Sequence, residues 1–276
     1  MRDSVPSKAP ALVFVTEGHL DQLIGIGCIL NVLKSLGLIH PSNHRTWIVA
    51  PALTVAGVRE FIIGGCGGLD LRFVDCETRA DDKYYLQLGL RKVFEETDAG
   101  ETLLSLDYDH LILNPRAFRF SSPGREIIVS SEVQETVAAE AGVDVGEYDL
   151  PRRHLNASLI WGRALELRRV GALWPRSYED LRPLVPQRNR VEVALSLAAE
   201  RANVSLSPCP PAVQGNFAVP TLDCCLFHYG GETHGSKAMK SKLAELADDH
   251  RGRAVRPDDL LMSHELLVGE LNSLLG

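Results

Sequence analysis

Two aspartates, Asp107 and Asp109, stand two residues apart directly after the apolar run 102–106. In an extended chain, side chains at i and i+2 project to the same side, so these carboxylates would face one another. Such a pair repels itself unless a cation lies between, and a divalent ion is the natural partner for hard oxygen ligands. The plainer use of the same residues is one Asp capping a turn and the other solvated. His228 closes a second apolar run, 223–228. If it meets the aspartates, the set becomes two carboxylates and an imidazole, which suits Mn²⁺ and tolerates Mg²⁺. Past His228 come Tyr229, Gly230, Gly231, Gly235 and Lys237. The glycines leave backbone amides open to phosphate oxygens. Lys237, at the start of an expected helix, adds a cation where the helix N-terminus already favours an anion. A flexible loop followed by a surface lysine is the alternative.

The elements that must position these residues follow from hydrophobic patterning. Runs 11–16, 46–50, 71–75 and 102–106 read as strands, the first and fourth as continuous apolar runs of the buried parallel type. Segments 20–36, 54–63 and 82–96 between them read as helices, with Gly37 as a stop for the first. A β-α-β-α-β-α-β order predicts a doubly wound parallel sheet, in which ligands bind beyond the carboxyl ends of the strands. Thr16 and the 107–109 segment both sit at such ends. Farther along, 126–130, 154–161 and 223–228 read as strands. Segments 132–141 and 191–202 read as helices, as does the tail after 237, with a break near 252–257. No Gly/Ser/Pro-rich linker divides the chain, which points to one domain over 11–240 and a helical extension, 241–276, packed on it.

The order apolar strand–Thr16, Leu-Asp107-Tyr-Asp109, Leu-Asn156-Ala157-Ser158 and Phe-His228-Tyr-Gly230-Gly231…Lys237 resembles glycosyltransferase family 8 and its glycogenin-like relatives, over roughly residues 11–240. The resemblance implies an α/β GT-A fold with a Rossmann-like mixed sheet flanked by helices. It also implies a nucleotide-diphosphate sugar donor (a UDP-sugar favoured), Mn²⁺ (or Mg²⁺), and transfer with retention to a sugar-bearing or small-molecule acceptor. By position, Asp107, Asp109 and His228 would be the metal ligands. Thr16 would lie against the base or ribose, with Tyr108 beside it. Asn156 and Ala157 would face the donor sugar, and Gly230, Gly231 and Lys237 would hold the diphosphate. Glu192 falls where many members carry an acidic residue near sugar and acceptor, so Glu192 and Asn156 are the expected catalytic groups. Ser158 stands for the family's usual Gly, Val193 for its Gln, and Ala238-Met239 for its Pro-Trp.

Two other readings bear on function. His19-Leu20-Asp21-Gln22 resembles the His-Pro-Asp-Asp opening of zinc-dependent sugar N-deacetylases, with Gln22 in place of the second Asp. The simpler account has Asp21 in the first turn of a helix that His19 precedes. The substitutions at 158 and 193 also fit a degenerate GT-A domain that binds nucleotide sugar without turnover. The acceptor site would be built by 163–190 and the tail, where Trp161, Trp174 and Tyr178 either stack on a sugar ring or fill the core.

The 276 residues carry a net charge of −7 and are 45% hydrophobic. That balance gives a substantial core and argues against non-specific binding to nucleic acid or an anionic membrane. No window has the ~20 apolar residues of a transmembrane segment, and the first ten lack the apolar core of a secretory signal. The six cysteines show no zinc spacing, and reduced thiols in the cytoplasm are expected.

Overall fold

The computed structural model describes residues 10–40, 44–79, 82–114, 123–135, 153–218, 220 and 222–276. Strands β1 (Ala11–Val15), β2 (Arg45–Pro51), β3 (Asp70–Cys76) and β4 (Thr102–Leu106) form where the apolar runs predict them. All of their mutual pairings are parallel, in the order β4-β1-β2-β3. Helices α1 (Leu20–Ser35) and α2 (Val55–Cys66) supply the first two crossovers. The third differs from expectation: 82–96 is a 3₁₀ segment, Lys83–Gly89, running into the short helix α3 (Leu90–Glu96).

The second half of the chain turns the sheet mixed. β5 (His110–Ile112), β6 (Ile127–Val129), β7 (Val133–Glu135), β8 (Arg153–Leu155), β9 (Leu159–Arg163), β10 (Leu206–Pro208), β11 (Gln214–Asn216) and β12 (Leu226–His228) are all short. β9 enters between β4 and β6, antiparallel to both, and the main sheet reads β10-β6-β9-β4-β1-β2-β3. The expected helix 132–141 is corrected where it is described: 133–135 is a strand paired with β8, and 136–141 lies outside the described residues. The expected single strand 154–161 is two, β8 and β9, separated by a turn at Ala157 and Ser158. Helix α4 (Ala164–Asp180) leads to α5 (Gln187–Arg201), and α6 (His234–His250) and α7 (Pro257–Leu275) end the chain. Helix α6 runs through residue 240 without interruption.

Period-two alternation divides the sheet's side chains between two cores. Leu12 and Phe14 of β1, Ile48 of β2 and Leu104 of β4 face the core built with α1, α6 and α7. Val13, Trp47, Val49 and Leu103 face the one built with α3, α4 and α5. Trp174 and Tyr178 are fully buried in this second core, so they are packing residues rather than stacking platforms. Tyr178 is further fixed by donating its hydroxyl to Asp82, which also accepts from Gln187 Nε2 at 2.9 Å and Arg190 Nη1 at 3.1 Å. Among the described residues, no helix is long and apolar enough to cross a membrane.

His264 on α7 is buried, and burial depresses its pKa from 6.5 to about 4, opposed by a backbone hydrogen bond with Ile112. The unfolded chain therefore binds one more proton than the native state between those values, and stability falls as pH drops through that window. The full shift corresponds to about 3 kcal/mol. A His264→Gln variant should lose less stability than wild type between pH 7 and pH 4. Denaturant midpoints measured across that range check this, and equal slopes for the two proteins refute it.

Candidate active site

β4 ends at Leu106, and the chain does not stay extended through the two aspartates. Residues 107–109 make a turn into β5, anchored where Asp107 N donates to Ser158 O at 2.9 Å. β5 then pairs antiparallel with β12, in a register that sets His110 opposite His228. Tyr229 N donates to Asp109 O at 3.0 Å just past that pair. The turn and the pairing together bring one ligand atom each from Asp107, Asp109 and His228 within 4.8 Å of one another. Among the described residues no other group of three His, Cys, Asp or Glu side chains converges in this way. His228 Nε2 lies 3.3 Å from Asp109 Oδ1.

The electrostatics of this cluster are those of crowded, desolvated acids. Burial, reinforced by the neighbouring charge of Asp109, pushes the Asp107 carboxyl well above its ordinary range. Asp109 feels the same burial, but the charge and hydrogen bond of His228 outweigh it and hold its pKa low. Burial works against protonating His228, yet Asp109 and Glu132 carry its pKa up to about 10. The residues fit a divalent cation. Two acids and an imidazole with one nitrogen turned inward converge on a point, and the glycine beside them has no side chain to fill it. A Cβ on Gly230 would stand 2.3 Å from His228 Nε2 and 2.7 Å from Asp109 Oδ2.

The expected nucleotide residues lie on the same rim. A cleft of about 200 Å³ is lined by Thr16, Glu17, Gln22, Leu86, Gln87, Asp107 and Tyr108, among others. Gly25 of α1 lets the helix approach the 107–109 turn closely, since a Cβ there would stand 2.4 Å from Tyr108 O. Gln22 serves as the brace of this loop: its Oε1 accepts from Thr16 Oγ1 and Glu17 N, each at 2.8 Å. Asp21 lies in the first turn of α1 with His19 as the preceding cap residue. His19 pairs with Glu17, so the 19–22 segment is a helix start and contributes nothing to the metal-capable cluster.

Asn156 Oδ1 accepts from Ser158 N at 2.7 Å and shapes the turn that also carries the buried Ala157. Glu192 of α5 is buried, lies 3.4 Å from His154, and its charge contributes to raising Asp107. Gly230 and Gly231 lead into α6, with Thr233 capping it and Ser236 Oγ donating to Gly230 O. Lys237 is 66% exposed and lies 3.7 Å from Glu232. Lys240, one turn farther on, donates to Gly231 O at 2.9 Å and contributes to holding Asp109's pKa down. Sequence reasoning passed over Lys240, and also His110 and Glu132. His110 follows Asp109 directly and stacks on His228 with ring centroids 4.8 Å apart. A side chain next in line after a metal-type pair was the available signal for His110. Glu132 had none, because its segment reads as a helix start.

The sequence matches no described protein family and no curated protein. Solved structures do resemble the chain. The galactosyltransferase LgtC, crystallised with donor and acceptor sugar analogues, shares 14% identity at a TM-score of 0.53, covering 87% of this chain and 95% of LgtC. The bifunctional glycosyltransferase WbbM gives 12% and 0.52 over 84% of this chain and 48% of its own. The glycosyltransferase GlyE of Streptococcus pneumoniae TIGR4 gives 12% and 0.52 over 97% of this chain and 64% of its own. The chain thus spans about half of WbbM and under two thirds of GlyE, but nearly all of LgtC. At these identities the likeness speaks to architecture, and the architecture is that of the GT-A glycosyltransferases.

Proposed function

We propose that the protein transfers a sugar from a nucleotide-diphosphate donor to an acceptor, with a divalent cation held by Asp107, Asp109 and His228. The observation that carries this is the convergence of those three side chains beside an open cleft, at the carboxyl rim of a GT-A sheet. Ligands of open α/β sheets bind on that rim. LgtC, which covers the chain most evenly, is a galactosyltransferase.

The difficult event is breaking the bond between the anomeric carbon and the diphosphate. The chemistry a bound Mn²⁺ or Mg²⁺ supplies there is Lewis-acid stabilisation of the leaving group. The chain's own residues account for the rest. The cleft between Thr16 and Tyr108 takes the nucleoside, with UDP favoured by the family resemblance. The amides of Gly230 and Gly231, the N-terminus of α6 and the lysines at 237 and 240 surround the diphosphate with fixed positive potential. Asn156 and Ala157 face the sugar. Glu192, buried on α5 beside His154, stabilises positive charge at the anomeric centre or orients the acceptor. Retention follows from the same resemblance, the departing phosphate receiving the acceptor's proton. The six cysteines, all buried and none in a disulfide, fit the reducing cytoplasm.

Asp109→Asn keeps the shape of the side chain and removes one charge from the cation site. It should leave the fold intact and abolish nucleotide release that depends on Mn²⁺. Assay of donor turnover with Mn²⁺ against chelator checks this, and wild-type turnover indifferent to chelator would remove the cation from the reaction. Gly230→Ala should weaken Mn²⁺ binding by roughly tenfold or more, because the new methyl occupies the space before His228 Nε2. Isothermal titration checks it, and unchanged affinity would mean the cation lies elsewhere. Lys237→Ala should raise the donor's Kd with little effect on Mn²⁺ affinity. Equal donor binding by wild type and variant would leave Lys240 as the relevant cation.

A further inference from the structure

A metal-binding histidine must present the correct ring nitrogen, and that depends on what its other nitrogen meets. His228 has one nitrogen on each side of the question. Nε2 faces Asp109 Oδ1 at 3.3 Å, and Nδ1 faces Glu132 Oε2, also at 3.3 Å. Glu132 Oε2 and His228 Nδ1 are both shielded from solvent, and among the described residues neither meets another hydrogen-bond partner; the contact between them is a close ion pair, not an aligned hydrogen bond. Its backbone is held at both ends: Glu132 N donates to Ser130 Oγ at 3.2 Å, and Asn156 N donates to Glu132 O at 2.9 Å.

The ring face of His228 is held as well. His110 stacks on it, and the tautomer of His110 can be deduced. Its Nδ1 lies 3.0 Å from Asp107 O, a carbonyl that can only accept, so Nδ1 carries the hydrogen. Its Nε2 is then an acceptor, and Gln214 Nε2 donates to it at 2.9 Å. That orientation turns Gln214 Oε1 toward Ser131 N, which donates to it at 2.9 Å. Ser131 Oγ also donates to Gln214 O at 3.1 Å. Ser131 is the residue before Glu132. The groups close a ring through Glu132, His228, His110, Gln214 and Ser131: the bonds of His110, Gln214 and Ser131 have consistent donors and acceptors, His110 meets His228 by stacking, and Glu132 meets it as an ion pair.

We infer that Glu132 is a positioning residue for the cation site: its carboxylate pairs with Nδ1–H of His228 and keeps Nε2 free to ligate. This rests on the metal reading of Asp107, Asp109 and His228. A carboxylate behind a ligating imidazole orients the ring and raises its basicity, and loss of such a partner typically costs about 10–100-fold in metal affinity. Glu132→Ala should therefore weaken Mn²⁺ binding by that factor. Glu132→Gln, which keeps an acceptor oxygen and the volume but loses the charge, should fall between it and wild type.

The test is titration of Mn²⁺ into the full metal-free chain, followed by the electron paramagnetic resonance signal of the free ion, for wild type, both Glu132 variants and Asp109→Asn. Melting temperatures of the metal-free proteins are measured alongside. Graded loss of affinity in the order wild type, Gln, Ala, with the metal-free proteins folded, supports the assignment. A Glu132 that served only the fold would lower the melting temperature and leave Mn²⁺ affinity unchanged, which overturns it. Unchanged affinity with a fall in kcat would also overturn it and make Glu132 a substrate-side residue. Should the Ala variant fail to fold, the near-isosteric Gln variant carries the comparison alone. Wild-type protein that binds no Mn²⁺ would overturn the underlying metal reading itself, a result distinct from equal binding by wild type and variants.

Discussion

Two carboxylates held within 4.8 Å of each other and of an imidazole, largely out of water, are an expensive arrangement for a metal-free protein. The strain is visible in the opposite directions taken by the two acids: Asp107 is driven toward its neutral form and Asp109 is held ionised by His228. A fold retains such a cluster only where surrounding structure imposes it. Here the imposition is a short antiparallel pairing, β5 against β12, which sets His228 beside the turn that carries the aspartates. The rest of the site takes its position from that pairing. Gly230 follows His228 and leaves the central space open, and α6 begins where the chain leaves that space.

The parallel half of the sheet supplies the rigidity behind this pairing. Strands β1, β2 and β4 are buried on both faces, with alternate side chains committed to different cores, so a shift of one residue in register would exchange the two sets. The carboxyl end of β4, and with it Asp107, is thereby fixed relative to the end of β1 and Thr16. The antiparallel insertion of β9 ties the second half to the same frame: Ser158, just before β9, receives the amide of Asp107. The substitution of Ser for the resembling family's Gly thus sits on backbone that anchors the turn of the paired aspartates.

Away from the rim, polar residues that could serve chemistry serve structure instead. Asp82, Tyr178, Gln187 and Arg190 satisfy one another between the 3₁₀ segment, α4 and α5. A buried carboxylate with three donors stabilises a unique packing, because losing Arg190 would leave its charge unpaired and losing either neutral donor would leave it short of a hydrogen bond in a region of low dielectric. This explains why Tyr178, an aromatic residue in the segment expected to meet an acceptor, is unavailable to it.

The sequence by itself determined the β-α-β-α-β frame, the strand-end location of Thr16 and Asp107, and the candidacy of Asp107, Asp109 and His228. Each depends on local pattern: continuous apolar runs make buried strands, and paired acids after such a run mark a rim. The structure also altered what local pattern could not resolve. The aspartates sit on a turn rather than on extended chain, 133–135 pairs as a strand, and 154–161 divides in two. Short strands in the second half form because a neighbouring edge is present to pair with, and periodicity over three residues carries too little signal to announce them. For the same reason Glu132, Gln214 and Lys240 were invisible as site residues. Their roles come from contacts between residues far apart in the chain, 104 residues in the Gln214–His110 pair, and only tertiary structure makes such separations neighbours.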